Sequence, residues 1–258
     1  MRFLAIFLLI LFLPGCLGGT KEEKRGDEIV IIYDNRGFGE LEGSWGFSAL
    51  IRFHNYTILF DTGGNGRILL NNMRKLGIDP NEIQYVFLSH IHGDHTGGLW
   101  DFLEENSNVT VFLPVSFPEN FKENIKARGA KVVAISKPVE ILPDVYSTGE
   151  MFPVGEQSII LNTSKGIVII TGCSHPGVVR IVERAENITK KKPYLVLGGF
   201  HLFGANKTEI KEISKKLKSL GVQRIMPCHC SGDEARKIFA KEFGANYIDC
   251  RVGKKIEI

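Results

Sequence analysis

The segment from Leu88 to Gly98 reads LSHIHGDHTGG and packs three histidines and one aspartate into the six residues His90–His95. Such a run constrains the fold, because ligating side chains are useful where a rigid strand stops and the backbone turns. The stretch before it, Gln84–Leu88, reads as a strand, and a helix is expected from near Gly97. His90 and His92 are two apart, so an extended backbone points both imidazoles to the same side, with Asp94 and His95 at the turn that follows. His175, His201 and His229 repeat the placement, each closely following a β-like run. Of the seven histidines only His54 is left over, in a turn between two expected strands, where a solvent-facing structural role suffices. A single histidine is more often structural than ligating, but six at strand ends call for a shared site.

Neutral imidazole nitrogen and carboxylate oxygen suit zinc or a similar divalent ion, bound at ~2.0–2.2 Å. His90, His92, Asp94 and His95 are already more than one tetrahedral ion with an open position requires, so two ions are expected.

With 258 residues, 43% of them hydrophobic, the chain can bury a substantial core. Expected strands are Ile29–Tyr33, Ala49–Phe53, Thr57–Phe60, Gln84–Leu88, Val109–Leu113, Lys131–Ile135, Ser158–Leu161, Gly166–Thr171, Tyr194–Leu197, Gln223–Met226 and Tyr247–Asp249. Gly77, Gly129, Gly221 and Gly244 each close an amphipathic run, as glycines do at helix ends. Ser231 and Glu234 have the spacing of a capping box for the last helix, and Pro138–Pro153 reads as a long connection. Alternation of strands and amphipathic helices predicts sheets covered by helices, an α/β (α+β) fold. The formal charge of +3, with both signs interspersed, argues against nucleic acid as a partner.

The first twenty residues stand apart. An apolar run behind Arg2 ends in Leu13-Pro14-Gly15-Cys16, shorter than the ~20 residues of a membrane-spanning helix. Residues 1–15 are read as a signal peptide, Cys16 as a lipid attachment point resembling a lipoprotein processing box, and 16–28 as a flexible tether to a domain over 29–258. Five Asn-x-Ser/Thr triplets, at Asn55, Asn108, Asn162, Asn187 and Asn206, fit glycosylation on an exported surface. The expected address is therefore the extracytoplasmic face of the cell membrane, held by lipid. A disulfide from Cys228 or Cys230 to Cys250 is compatible with that address.

Ser89–Gly98 resembles the HxHxDH signature of the metallo-β-lactamase superfamily, and Leu59-Phe-Asp-Thr-Gly63 resembles its first motif, a strand ending in Asp61. The resemblance implies a four-layered αββα sandwich. Gly46-Phe-Ser48, Gly172-Cys-Ser-His-Pro-Gly177, Gly198-Gly-Phe-His-Leu202 and Pro227-Cys-His229 are similar to the branch of dihydropterin-ribofuranosyl-aminobenzene phosphate synthases and related metal-dependent hydrolases. It implies His90, His92 and His175 on a first ion, and Asp94, His95 and His229 on a second. Asp61 is expected to hold an imidazole by a hydrogen bond without touching metal. Family members commonly carry a bridging aspartate after the strand equivalent to Gly166–Thr171, whereas Gly172-Cys173 stands there, and Cys173 is expected to pack and not to ligate.

Two ions so held lower the pKa of water and stabilise a developing oxyanion. The expectation is an exported zinc hydrolase of small-molecule esters or phosphoesters, with Asp94 and His201 as catalytic groups. A synthase of the pterin type is the alternative, and a mononuclear iron redox protein or a metal-binding module without turnover are readings from other classes.

Overall fold

The computed structural model describes residues 26–258. Two sheets are built almost in chain order. The first takes β1 (Glu28–Tyr33), β2 (Ser48–Phe53), β3 (Tyr56–Phe60), β4 (Tyr85–Phe87), β5 (Thr110–Pro114) and β6 (Lys131–Ile135). The second takes β7 (Val139–Leu142), β8 (Val145–Ser147), β9 (Ile159–Thr163), β10 (Gly166–Thr171), β11 (Pro193–Gly199) and β12 (Arg224–Cys228). The final strand β13 (Lys255–Glu257) returns to the first sheet beside β1.

Strands β3 to β6 run parallel, as do β10 to β12, while the hairpins at the other edges are antiparallel. Parallel strands need crossover connections, and helices supply them. These are α1 (Gly66–Lys75), α2 (Gly93–Thr96), α3 (Leu99–Glu105), α4 (Glu119–Ala127), α5 (Val178–Thr189) and α6 (Lys207–Ser219), with α7 (Asp233–Phe243) after β12.

Side-chain alternation divides the interior into three layers of packing. Ile29 and Ile31 of β1 and Val168 and Ile170 of β10 face each other between the sheets, with Phe47, Phe60 and Phe87. Val30 and Ile32 face the other way, onto Leu69 and Met73 of α1 and Phe102 of α3. Ile167 and Ile169 likewise turn outward onto Ile181 of α5 and Phe239 of α7. Strands buried on both faces explain why these runs are almost wholly apolar. The arrangement is the four-layered αββα sandwich.

Several details differ from expectation. The 138–153 connection carries β7, whose exposed Val139 and Glu140 hide its strand character, and β8, which is only three residues long. Tyr247–Asp249 forms only an isolated bridge to Ile225. The capping box at Ser231 does not form, because the Ser231 hydroxyl donates to the Cys228 carbonyl and accepts from the Phe200 amide, leaving α7 to start behind Gly232. Residues 26–28, expected as the end of a tether, are fastened to the sheet: Glu28 opens β1 and Asp27 accepts from the His54 amide. The four cysteines among the described residues are free and buried, so the bridge to Cys250 is not made. The signal-peptide reading and Cys16 lie outside the described residues.

Candidate metal centre

Every histidine expected at the centre sits beyond the carboxyl end of a parallel strand, where open sheets place their sites. β3 delivers Asp61, β4 leads to His90, His92, Asp94 and His95, β10 to Cys173 and His175, β11 to His201, and β12 to His229. Abrupt turns aim them. Asp61, Ser174, His201 and His229 all have left-handed backbone, with φ of 51°, 61°, 52° and 44°. Such conformations cost free energy and persist where surrounding contacts enforce them. Gly172 is required by proximity, since a Cβ there would lie 2.1 Å from Ser89 Oγ and 3.1 Å from His90 Nδ1.

Hydrogen-bond partners assign the imidazole tautomers. His95 Nδ1 is 2.7 Å from Asp61 Oδ2, His175 Nδ1 is 2.9 Å from Glu156 Oε2, and His229 Nδ1 is 3.0 Å from Asn35 Oδ1. Each acceptor fixes the proton on Nδ1 and leaves the Nε2 lone pair facing the centre. Ser89 Oγ donates to Asp61 Oδ2 at 2.7 Å and so accepts from His90 Nδ1 at 2.8 Å, giving His90 the same tautomer. His92 differs in presenting Nδ1, 3.1 Å from His90 Nε2.

Electrostatics keep His90 and His95 in the ligating form. Burial, reinforced by His95, pushes His90 down to about 3, and burial with His229 nearby pushes His95 down to about 3. Burial likewise raises the Asp61 carboxyl to about 7 against the charge of His90 and the Ser89 bonds. Burial also opposes ionisation of Glu156, but its bond with His175 and the charge of His90 outweigh this and bring it to about 2. His229 Nε2 is buried and makes no hydrogen bond, although Asp94 Oδ2 is 3.1 Å away. Two lone pairs at that separation need a cation between them.

The donors form two adjoining groups. His90, His92 and His175 offer nitrogens within 4.8 Å of one another, and Asp94, His95, Cys173 and His229 offer a second set within the same limit. The ring centroids of His90 and His95 are 4.2 Å apart, which joins the sets. The donor chemistry, tautomers and orphaned nitrogen fit divalent ions of the zinc type. His201 lies on the exposed side with its ring 4.5 Å from that of His175; its bond with Cys230 raises its pKa against the effect of burial.

Sequence reasoning missed three groups. Glu156 is buried and gathers the whole Gly172–His175 turn; Asp34 accepts from the His229 amide at 2.7 Å; Asn35 clamps the same residue through its ring and carbonyl. The weak flags available were an acid just before the expected Ser158 strand and a polar pair directly after the apolar Ile29–Tyr33 run. Trp45 reaches the same place, its ring 4.7 Å from His229.

The family model described as the metallo-beta-lactamase superfamily matches residues 46–178. The chain belongs to that superfamily. Within it, the chain is 32% identical over 246 residues to a 7,8-dihydropterin-6-methyl-4-(beta-D-ribofuranosyl)-aminobenzene-5'-phosphate synthase of Methanocaldococcus jannaschii, covering 78% of this chain and 84% of the relative. The crystal structure of Tm1679, a metal-dependent hydrolase of the beta-lactamase superfamily, superposes with a TM-score of 0.76 at 29% identity, over 90% of this chain and 99% of that one. The metallo-beta-lactamase fold protein YhfI from Bacillus subtilis, at 14% identity and a TM-score of 0.69 over 90% and 100% of the two chains, shares the fold.

These superfamily members correct the address expected at the extracytoplasmic face of the membrane. Along most of its length the chain is kin to a synthase named for a phosphorylated pterin compound and to a metal-dependent hydrolase. Among the described residues, no helix is long and apolar enough to cross a membrane.

Proposed function

We propose that this superfamily member is a two-ion zinc enzyme of the pterin-synthase type, joining a dihydropterin to a phosphorylated aminobenzene riboside. The observation that carries the proposal is the adjacency of the two donor groups, each with its lone pairs already turned inward. The kinship to the Methanocaldococcus jannaschii synthase supports the substrate class, because its product combines planar rings with a phosphate. An aromatic rim suits such rings: Trp45 and Phe203 are 52% and 77% exposed and meet edge to face at 6.5 Å. Exposed aromatic faces beside a polar centre bind planar rings by stacking.

In this proposal His90, His92 and His175 would hold one ion and Asp94, His95 and His229 the other. When bound, the ions supply Lewis-acid chemistry that offsets negative charge on a departing phosphate. The chain does the rest. Asp61, Glu156 and Asn35 keep the imidazoles fixed, so little reorganisation is needed during reaction. His201, whose pKa is raised, carries a proton on the exposed side of His175 for a leaving oxygen, while Asp94 orients the attacking group, whose proton passes to solvent.

The test supplies the zinc-loaded protein with 4-(β-D-ribofuranosyl)aminobenzene 5'-phosphate and a dihydropterin bearing a phosphorylated leaving group on its 6-methyl carbon. Mass spectrometry is expected to find the joined product with the native chain and not with His92→Ala. A second reading, hydrolysis of a phosphoester, is favoured by the kinship to Tm1679. Cleavage of a chromogenic phosphodiester without formation of the joined product would select it. Absence of both activities in the metal-loaded protein would refute both readings.

A further inference from the structure

We propose that Cys173 is a ligand of the second ion, its thiolate standing where superfamily members commonly place a bridging aspartate. The inference rests on the two-ion reading above and specifies the chemistry of one of its ions.

Cys173 follows β10 directly, on the turn that Glu156 grips by the amides of Cys173, Ser174 and His175. Its Sγ lies 3.2 Å from His95 Nε2, the nitrogen that the Asp61 bond leaves unprotonated. Asp94 Oδ2 is 3.8 Å from the same nitrogen and 3.1 Å from His229 Nε2. Bond lengths of ~2.0–2.3 Å at tetrahedral angles put neighbouring ligand atoms about 3.3–3.8 Å apart. Of these separations 3.8 Å lies within that range and 3.1 and 3.2 Å fall just short of it, and all four ligand atoms lie within 4.8 Å of one another.

An independent sign comes from His229. Its Nε2 is buried without a hydrogen bond and belongs to the same cluster as the Cys173 sulfur. Packing alone does not account for a sulfur set among two imidazole lone pairs and a carboxylate, since the single thiol hydrogen can serve only one of the three acceptors and leaves Asp94 Oδ2 and His229 Nε2 facing each other. A cation satisfies all four. On binding, the Cys173 thiol gives its proton to solvent, and the resulting sulfur donor favours zinc, iron or cobalt over magnesium or calcium. Cys230 is the competing sulfur, with its Sγ 3.3 Å from that of Cys173, but it groups with Cys173 and His201 and not with Asp94, His95 and His229.

Cobalt(II) replacement separates these roles. The full chain is stripped, reloaded with cobalt, measured for metal content, and scanned for sulfur-to-cobalt charge transfer in the near ultraviolet. The native chain is expected to bind two ions and show the band. Cys173→Ser should lose the band and one ion, Cys173→Asp should restore two ions without the band, and Cys230→Ser should keep both ions and band. Two bound ions with no band in the native chain, or a band that survives Cys173→Ser, would overturn the assignment while leaving the two-ion reading intact. Binding of fewer than two ions by the native chain would overturn the two-ion reading itself, and this assignment with it.

Discussion

Glu156 offers the sharpest quantitative test of how this centre is built. Its Oε1 accepts from the amides of Cys173 and Ser174 at 2.9 and 2.8 Å and from Thr171 Oγ1 at 3.2 Å. Its Oε2 accepts from the amide and Nδ1 of His175 at 2.8 and 2.9 Å. Glu156→Gln keeps the shape but has a single acceptor oxygen, so in either orientation an NH₂ group faces donors inside a buried pocket. The lesser loss sacrifices the two bonds to His175. Hydrogen bonds to a charged group contribute ~1.5–3 kcal/mol each, so the variant is expected to lose ~3–6 kcal/mol of stability. It also frees the His175 ring, and loss of such a supporting carboxylate weakens metal binding by ~10–100-fold. Urea unfolding of the metal-free chain reads the first number, and zinc competition titration reads the second. A stability loss under ~1 kcal/mol with unaltered zinc affinity would refute the claim that Glu156 organises the turn.

Four further outcomes follow from the same geometry. Gly172→Ala puts a methyl group 2.1 Å from Ser89 Oγ, so it should break the Ser89–Asp61 link and weaken zinc binding ~10-fold or more by competition titration. Arg236→Met leaves the Asp34 carboxylate, 3.5 Å from the guanidinium, buried without its cation; the expected loss is ~3–5 kcal/mol in urea unfolding. Free zinc at about 100 times its Kd should raise stability by ~2.7 kcal/mol over the chelated protein, and a melting temperature indifferent to zinc would refute the metal centre. Trp45→Ala should raise KM for a planar aromatic substrate, the loss of one stacking partner being worth ~0.5–1.5 kcal/mol, while leaving kcat within a few-fold.

Much of the architecture was legible because strands buried on both faces leave long apolar runs, as Ile29–Tyr33 and Gly166–Thr171 do. β7 was illegible for the opposite reason, being exposed and carrying Glu140, and β8 because three residues are too few to show a period. Ser231 misled because its hydroxyl serves a buried connection between β11 and β12, a tertiary demand that overrides the local capping pattern. At the centre the six histidines stood out by position. Their supports did not, since Glu156 acts on residues 17–19 positions later and Asn35 on one 194 positions later, distances at which no local pattern survives. Cys173 was read as packing because a small residue beside a buried strand commonly is. Only the convergence of lone pairs around its sulfur separates the two roles.

Each donor group is shared between the sheets: His90, His92, Asp94 and His95 belong to the first, and Cys173, His175 and His229 to the second. Their mutual spacing is thus governed by how Phe47, Phe60 and Phe87 mesh with Val168 and Ile170 in the layer between. A close-packed interior transmits strain, so trimming one of those phenylalanines lets one half of the sandwich slide on the other and detunes the spacing of the metal-ligating atoms from a position outside both donor sets.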